Sequence, residues 1–316
     1  MIQVSNLTKN FDDFCAVNNI SFTVKPGEVL GFLGPNGAGK STTMKILTGF
    51  LAPSEGQIAV MGHDVLSDPI AAKKEIGYLP EGAPAYADMT VIASLRFIGQ
   101  VRGFSGAQLQ TRIDQVVEKV ALEPVLNKKV ENLSKGYCRR LGIAQALIHD
   151  PKVLILDEPT DGLDPNQKHQ VRQLIHDLSE DKIVIVSTHI LEEVSAVCSR
   201  AMILAQGAIV FDGTPEELAA MSEHHNAVTV RLSEHNEDII RQLQALPQVE
   251  SVDSDSTGSI KAYPVNGQAI LAPINSVLHA ANCQIEELHV ETGQLDDVFR
   301  KVTIEAEQAA RTGGRS

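Results

Sequence analysis

The sequence is poor in the residues that mark small secreted domains and membrane spans. It has no tryptophan, 4% aromatic residues and 4 cysteines in 316 residues. The cysteines lie far apart with no C-x-x-C pair, a pattern that indicates neither a zinc site nor a disulfide framework, so we expect reduced thiols. No window approaches a run of apolar residues long enough to span a membrane, and residues 1–9 lack the pattern of a signal peptide. We therefore expect a globular protein with no membrane-spanning segment.

Basic residues are in the minority. Lys and Arg number 27 against 40 Asp and Glu, which gives a formal net charge of −13. This balance argues against a nucleic-acid-binding protein that works by broad neutralisation of phosphates. The length, with 43% hydrophobic residues, is sufficient for a full core and favours about two domains.

A glycine-rich run follows a short apolar stretch in the first part of the chain. It fits the pattern G-x-x-x-x-G-K-[ST], and its members are Gly34, Pro35, Asn36, Gly37, Ala38, Gly39, Lys40 and Ser41. Glycines let successive backbone N–H groups turn towards an anion, and a helix N-terminus after them adds a partial positive charge. We expect Lys40 to reach the outer phosphates of a nucleotide and Ser41 to hold magnesium. A turn that merely caps a helix is the plainer alternative, which the preceding strand and following helix disfavour.

Two later apolar runs also end in chemically active residues. Residues 153–156 and 183–186 are continuous rather than alternating, as in parallel strands covered on both faces. The first is followed by Asp157 and Glu158, and the second by a Ser-Thr pair and His189. Open α/β sheets bind ligands at the carboxyl ends of their parallel strands. Without Lys40, an acidic turn or helix cap would be the first interpretation of the carboxylate pair.

The rest of the pattern predicts an α/β chain. Strands are expected at residues 2–7, 16–24, 29–33 and 57–61. Apolar residues recur at helical spacing from 90 to about 122. We expect a first domain over residues 1–221, with a helical subdomain over about 82–145.

After residue 221 the composition becomes more acidic, with 14 acidic against 7 basic residues in 222–316. We expect an accessory α+β domain of βαββαβ type there. Its predicted elements are strand 228–232, helix 237–245, two strands around Thr257-Gly258, helix 268–281, strand 284–290 and helix 294–302. The last residues, 311–316, are expected to be frayed.

The ordered motifs GPNGAGKST, LSKGY, LILDEP, DGLD and STH resemble those of the ATP-binding-cassette (ABC) ATPases, whose signature loop is usually LSGGQ. Together with Phe11, which precedes them, they extend to His189 and span more than half of the chain. The resemblance implies a P-loop NTPase cassette with a parallel core sheet, an antiparallel β subdomain and a helical subdomain. It also implies ATP and Mg²⁺ as ligands, since cassettes of this kind hydrolyse ATP.

The resemblance assigns roles to individual residues. Glu158 would activate water, His189 would contact the γ-phosphate, and Asp157, Ser41 and Glu81 would hold magnesium. The phosphates would be bound by Gly34 to Gly39, Lys40, Ser41 and Thr42, and the adenine would lie against Phe11 near Val17. Ser134 and Gly136 would cap ATP held by a second cassette, so the active form would be a head-to-tail dimer, and Asp164 would connect the two sites.

Two departures from the family pattern stand out. Glu81 occupies the place of a glutamine, and Lys135 and Tyr137 replace Gly and Gln in the signature. Both departures resemble the sequences of an exporter subgroup in which a cassette subunit pairs with a separate polytopic permease. That subgroup includes drug, polysaccharide and gliding-motility systems. That subgroup commonly has a C-terminal extension ending much like residues 293–299.

The resemblance therefore implies a cytoplasmic ATPase subunit, peripheral on the inner face of the cell membrane, that powers export through a separate integral-membrane permease. A second cassette, in a homodimer, is the other expected partner, and nucleic acid is not expected. A soluble ABC ATPase acting on ribosomes or DNA is the alternative. The single P-loop and the short stretch before the signature disfavour it. A third possibility is a regulator in which the acidic C-terminal domain dominates.

Overall fold

The computed structural model describes residues 1–233, 236–255 and 258–313. Its contacts group the chain into two compact units, Met1–Asp212 with the segment from Glu305, and Gly213–Ile304. The domain boundary expected after residue 221 stays a prediction. In the described residues, no helix is both long and apolar enough to cross a membrane.

The first unit contains both strands and helices, as the α/β prediction requires. Its strands are β1 (Ile2–Phe11), β2 (Phe14–Val24), β3 (Val29–Leu33), β4 (Glu55–Val60), β5 (His63–Asp64), β6 (Ile76–Leu79), β7 (Val153–Asp157), β8 (Ile183–Thr188), β9 (Arg200–Ala205) and β10 (Ala208–Gly213). Its helices are α1 (Lys40–Leu47), α2 (Pro69–Glu75), α3 (Val91–Val101), α4 (Gly106–Lys119), α5 (Lys135–Leu147), α6 (Pro165–Ser179) and α7 (Leu191–Val197).

The core sheet has the strand order β10-β9-β3-β8-β7-β6. Strands β9, β3, β8, β7 and β6 pair in parallel, and every residue of β3, β7 and β8 is buried. Uninterrupted apolar strands suit this position because both faces are covered. The register places Leu33 beside Thr188, and Asp157 beside Ser187. The carboxyl ends of β3, β8 and β7 therefore meet at one edge, as the parallel pattern predicted.

An antiparallel sheet and a helical segment complete this unit. The antiparallel sheet has the order β2-β1-β4-β5, and its apolar residues share a core with β3 and α1. Strand β1 runs four residues beyond its predicted end, to Phe11, through irregular pairing with β2. Helices α3, α4 and α5 form the helical segment. The predicted α/β fold, with its parallel core sheet, antiparallel sheet and helices, is confirmed.

The second unit has its own sheet and core. Its elements are α8 (Pro215–Ala220), β11 (Val228–Leu232), α9 (Glu237–Gln244), β12 (Val249–Ser254), β13 (Ser259–Pro264), α10 (Leu271–Ala280), β14 (Ile285–Val290) and most of α11 (Leu295–Gly313). The strand order is β12-β13-β11-β14, and apolar residues of α9 and α10 are buried with those of the strands. This matches the predicted strand and helix order.

Two details of the C-terminal prediction differ, and part of it falls outside the described residues. Helix α10 begins at Leu271, because residues 265–267 form a 3-10 turn in which Asn266 has a φ of 52°. Helix α11 continues to Gly313, beyond the predicted end at 302 and through the start of the segment expected to fray. Thr257 of the predicted turn and residues 314–316 lie outside the described part of the chain.

Candidate active site

The glycine-rich loop joins β3 to α1. Gly39, just before the helix, has a φ of 105°, and a Cβ there would lie 2.4 Å from the carbonyl oxygen of Ala16. A larger residue would therefore push the loop open. The backbone N–H of Thr43 donates to Gly39 O at 2.9 Å. The N–H groups of the first turn before it have no acceptor within the helix. They fit the phosphate oxygens of a nucleotide, as the motif predicted.

Lys40 is folded along this loop. Its Nζ donates to Gly34 O at 2.5 Å and to Pro35 O at 3.2 Å, and the residue is 7% exposed. Burial lowers the pKa of Lys40, and the nearby carboxylates of Glu158, Asp157 and Glu81 oppose that shift. The ammonium group and the three predicted acidic residues thus lie at the same edge of the sheet.

Asp157 and Glu158 leave the end of β7 in different environments. Asp157 is buried, and its carboxylate accepts a hydrogen bond from Ser187 Oγ on β8. Glu158 has a φ of 49°, in the left-handed region, and its backbone N–H donates to Ser187 O at 3.0 Å. Burial raises the pKa of Glu158, and the hydrogen bond with His189 opposes the rise. The two carboxylates are therefore suited to different tasks.

His189 lies directly against Glu158. Its Nδ1 is 3.0 Å from both carboxylate oxygens of Glu158. The His189 side chain is 53% exposed, whereas that of Glu158 is 16% exposed. The imidazole therefore holds the carboxylate on one side and faces solvent on the other. The sequence singled out both residues, but it did not predict this contact.

The predicted magnesium ligands all offer oxygen atoms. Ser41 is in the first turn of α1, Asp157 ends β7, and Glu81 is exposed two residues after β6. Burial raises the pKa of Tyr78, on β6, to about 12, and the negative charges of Asp157 and Glu81 add to that rise. Both carboxylates therefore act on the same residue of this sheet. Hydroxyl and carboxylate oxygens are the donors that Mg²⁺ prefers. This set therefore fits the metal.

The two predicted adenine contacts differ in exposure. Phe11, at the end of β1, is 44% exposed, and the Nζ of Lys9 lies 5.0 Å from its ring centroid. Val17 is fully buried in the core. Phe11 thus presents part of its ring to solvent, whereas Val17 does not, and their role towards adenine stays a prediction.

The signature residues belong to a separate cluster on α5. Ser134 caps that helix, and its hydroxyl accepts from Tyr137 N at 3.4 Å. A Cβ on Gly136 would lie 2.7 Å from Oε1 of Gln167, on α6. Asp164 caps α6 and accepts from Gln167 N at 2.9 Å. The contacts given for Ser134 and Gly136 are with this helix pair, and their role towards ATP held by a second subunit stays a prediction.

Two contributors were not singled out from sequence as site residues. Ser187 holds Asp157, and Glu193 on α7 accepts from Thr188 Oγ1 at 3.0 Å. The Ser-Thr pair before His189 was noted as strand-end context. The position of Glu193 on the next helix gave no motif signal.

Comparisons with known proteins place these features in a family. A model of the ABC transporter family matches residues 17–161. The Nod factor export ATP-binding protein I of Cupriavidus metallidurans is 32% identical over 96% of this chain and 97% of that protein. The linearmycin resistance ATP-binding protein LnrL of Bacillus subtilis is 30% identical over 96% of this chain and 98% of that protein.

Other matches extend over a smaller part of this chain. The probable multidrug ABC transporter ATP-binding protein YbhF of Escherichia coli is 37% identical over 70% of this chain, which spans 38% of YbhF. Among solved structures, the dimeric MJ0796, a bacterial ABC transporter cassette, has a TM-score of 0.62 and 26% identity over 68% of this chain and 99% of that one. With the site geometry and the near full-length relatives in agreement, this chain belongs to the family of ABC transporter ATP-binding proteins.

Proposed function

We propose that the chain binds and hydrolyses ATP to power export through a separate integral-membrane permease, from the inner face of the cell membrane. The observation that carries the proposal is the convergence of Lys40, Asp157 and Glu158 with His189 at one edge of the core sheet. The export assignment draws on the Nod factor and linearmycin relatives, which match over nearly their full length. The comparisons lend no support to a soluble role on ribosomes or DNA.

The site suggests how the chain's own residues divide the work. The loop N–H groups and Lys40 bind and orient the phosphates of ATP. Glu158 accepts the proton of the attacking water, and His189 keeps its carboxylate oriented. Ser41, Asp157 and Glu81 would hold Mg²⁺. When bound, that ion neutralises phosphate charge.

Dimerisation completes the proposed site. Ser134 and Gly136, on α5, would contact ATP bound to a second copy of this chain. The helix N-terminus that Ser134 caps is suited to an anion. Asp164 lies at the start of the next helix and would join the two sites. When ATP closes the two cassettes on each other, Glu81 and the helices after Thr90 would transmit that movement to the permease.

The pH dependence of turnover follows from the environment of Glu158. A general base works in its ionised form, and burial raises the pKa of this carboxyl. We expect kcat/KM to fall as the pH drops through that raised pKa, so its acid limb should lie above about 4.3, the ordinary value for glutamate. Phosphate release measured from acidic to neutral pH, with thermal unfolding as the control for folding, tests this. A profile still flat at that ordinary value would contradict it.

Purification of the Glu158→Gln protein from gently solubilised native membranes tests the export assignment. We expect one polytopic protein to copurify near stoichiometry, because a variant that binds ATP without turning it over holds the closed complex. Wild-type protein, purified in parallel without nucleotide, is the control. Recovery only from the soluble fraction, or with ribosomes, would overturn the transport assignment and leave the ATPase chemistry standing.

A further inference from the structure

Glu193 is a buried carboxylate outside the predicted site. It lies in the first turn of α7 and is 4% exposed. Burying a carboxylate is costly unless charged or hydrogen-bonding groups compensate it. The groups around Glu193 therefore show which interactions compensate its buried negative charge.

Three groups compensate this carboxylate. Thr160 Oγ1 donates a hydrogen bond to Oε1, and Thr188 Oγ1 donates to Oε2 at 3.0 Å. The Nζ of Lys168, on α6, lies 3.5 Å from Oε1. The backbone N–H of Ile190 donates to Thr188 Oγ1 at 3.1 Å, so the hydroxyl hydrogen of Thr188 remains for Glu193. Each of these three groups can donate a hydrogen bond to the carboxylate.

The two threonines belong to the two segments that carry the catalytic pair. Thr160 lies two residues after Glu158, and Thr188 directly precedes His189. The same segments meet where His189 Nδ1 lies 3.0 Å from both carboxylate oxygens of Glu158. Glu193 therefore accepts a hydrogen bond from each of the two segments on their buried side. On the exposed side, the same two segments are joined by the contact of His189 with Glu158.

We propose that Glu193 is a positioning residue for ATP hydrolysis, which sets the approach of His189 to Glu158 without touching nucleotide. The inference rests on the proposed function. If Glu193 acts through this pair, its loss lowers the rate of the chemical step and leaves ATP binding unchanged. A purely structural carboxylate would alter folding or both kinetic parameters together.

The first test is Glu193→Gln in the full chain. A carboxamide keeps the volume but replaces one acceptor oxygen with an NH₂ that faces donors. We expect kcat to fall about tenfold, with KM for ATP changed by less than about twofold. Glu192→Gln, a matched change at the exposed neighbour on the same helix, should leave both parameters unchanged. An unchanged kcat in Glu193→Gln, or an equal fall in both variants, would overturn the inference.

A second set of variants tests the same inference if Glu193→Gln folds poorly. Thr188→Val removes the hydroxyl at constant volume, whereas Thr188→Ser keeps it, so only the valine variant should lose kcat. In a His189→Ala background, Glu193→Gln should add no further loss, because the contact that it sets is already absent. A full additional loss would assign Glu193 a separate role. Absence of ATP turnover in the wild-type protein would overturn the proposed function and this inference with it.

Discussion

Replacing Glu158 with glutamine is expected to lower ATP turnover by at least about 100-fold, the usual loss when a general base is removed. An amide cannot accept the proton of the attacking water. It still offers His189 an oxygen at the place of the carboxylate, so the local packing should persist. ATP binding and ATP-dependent dimer formation should therefore remain.

Three measurements decide this prediction. They are phosphate release, equilibrium ATP binding, and size-exclusion chromatography with and without ATP. Glu180→Gln, at the exposed C-terminal end of α6, is the matched control and should behave as wild type. Normal hydrolysis by Glu158→Gln would remove this residue from the role of base.

Replacing Lys40 with methionine is expected to weaken ATP binding by about 10- to 100-fold, because charge-assisted hydrogen bonds to phosphate are lost. Turnover should fall with it. Methionine keeps much of the apolar stem of this buried side chain, but it cannot donate to the carbonyls of Gly34 and Pro35 as Nζ does. Without the ammonium group of Lys40, the negative charges of Asp157, Glu158 and Glu81 would repel the phosphates.

Lys45→Met is the control for that experiment. Lys45 is exposed on the same helix, so its replacement removes an equal charge outside the loop. Fluorescent-nucleotide titration gives the affinities, and thermal unfolding checks that both variants fold. Equal affinities in the two variants would show that Lys40 does not bind the phosphates.

The sequence was most informative where function depends on a local backbone pattern. The loop before Lys40 is recognisable because glycine is required at a position such as Gly39, where a Cβ would meet the backbone. The edge that holds Asp157 and His189 was predictable because parallel strands present their carboxyl ends together. Both features follow from chain geometry that a short motif records.

Other features depend on side-chain positions brought together from distant parts of the chain. The contact of His189 with Glu158 depends on the rotamers of two residues on different strand ends. The buried position of Glu193 depends on how α7 packs, which a helical pattern alone does not specify. The irregular extension of β1 to Phe11 likewise arises from pairing with β2 rather than from its own alternation.

The register of the core sheet also has a kinetic consequence. Leu33 of β3 lies beside Thr188 of β8, although these two strands are far apart in sequence. Pairings of such separation close large loops and form slowly. The nucleotide site cannot exist before that closure, so ATP favours the completed sheet over every partly folded form. Nucleotide in the cell would thereby act as a selective stabiliser of finished chains.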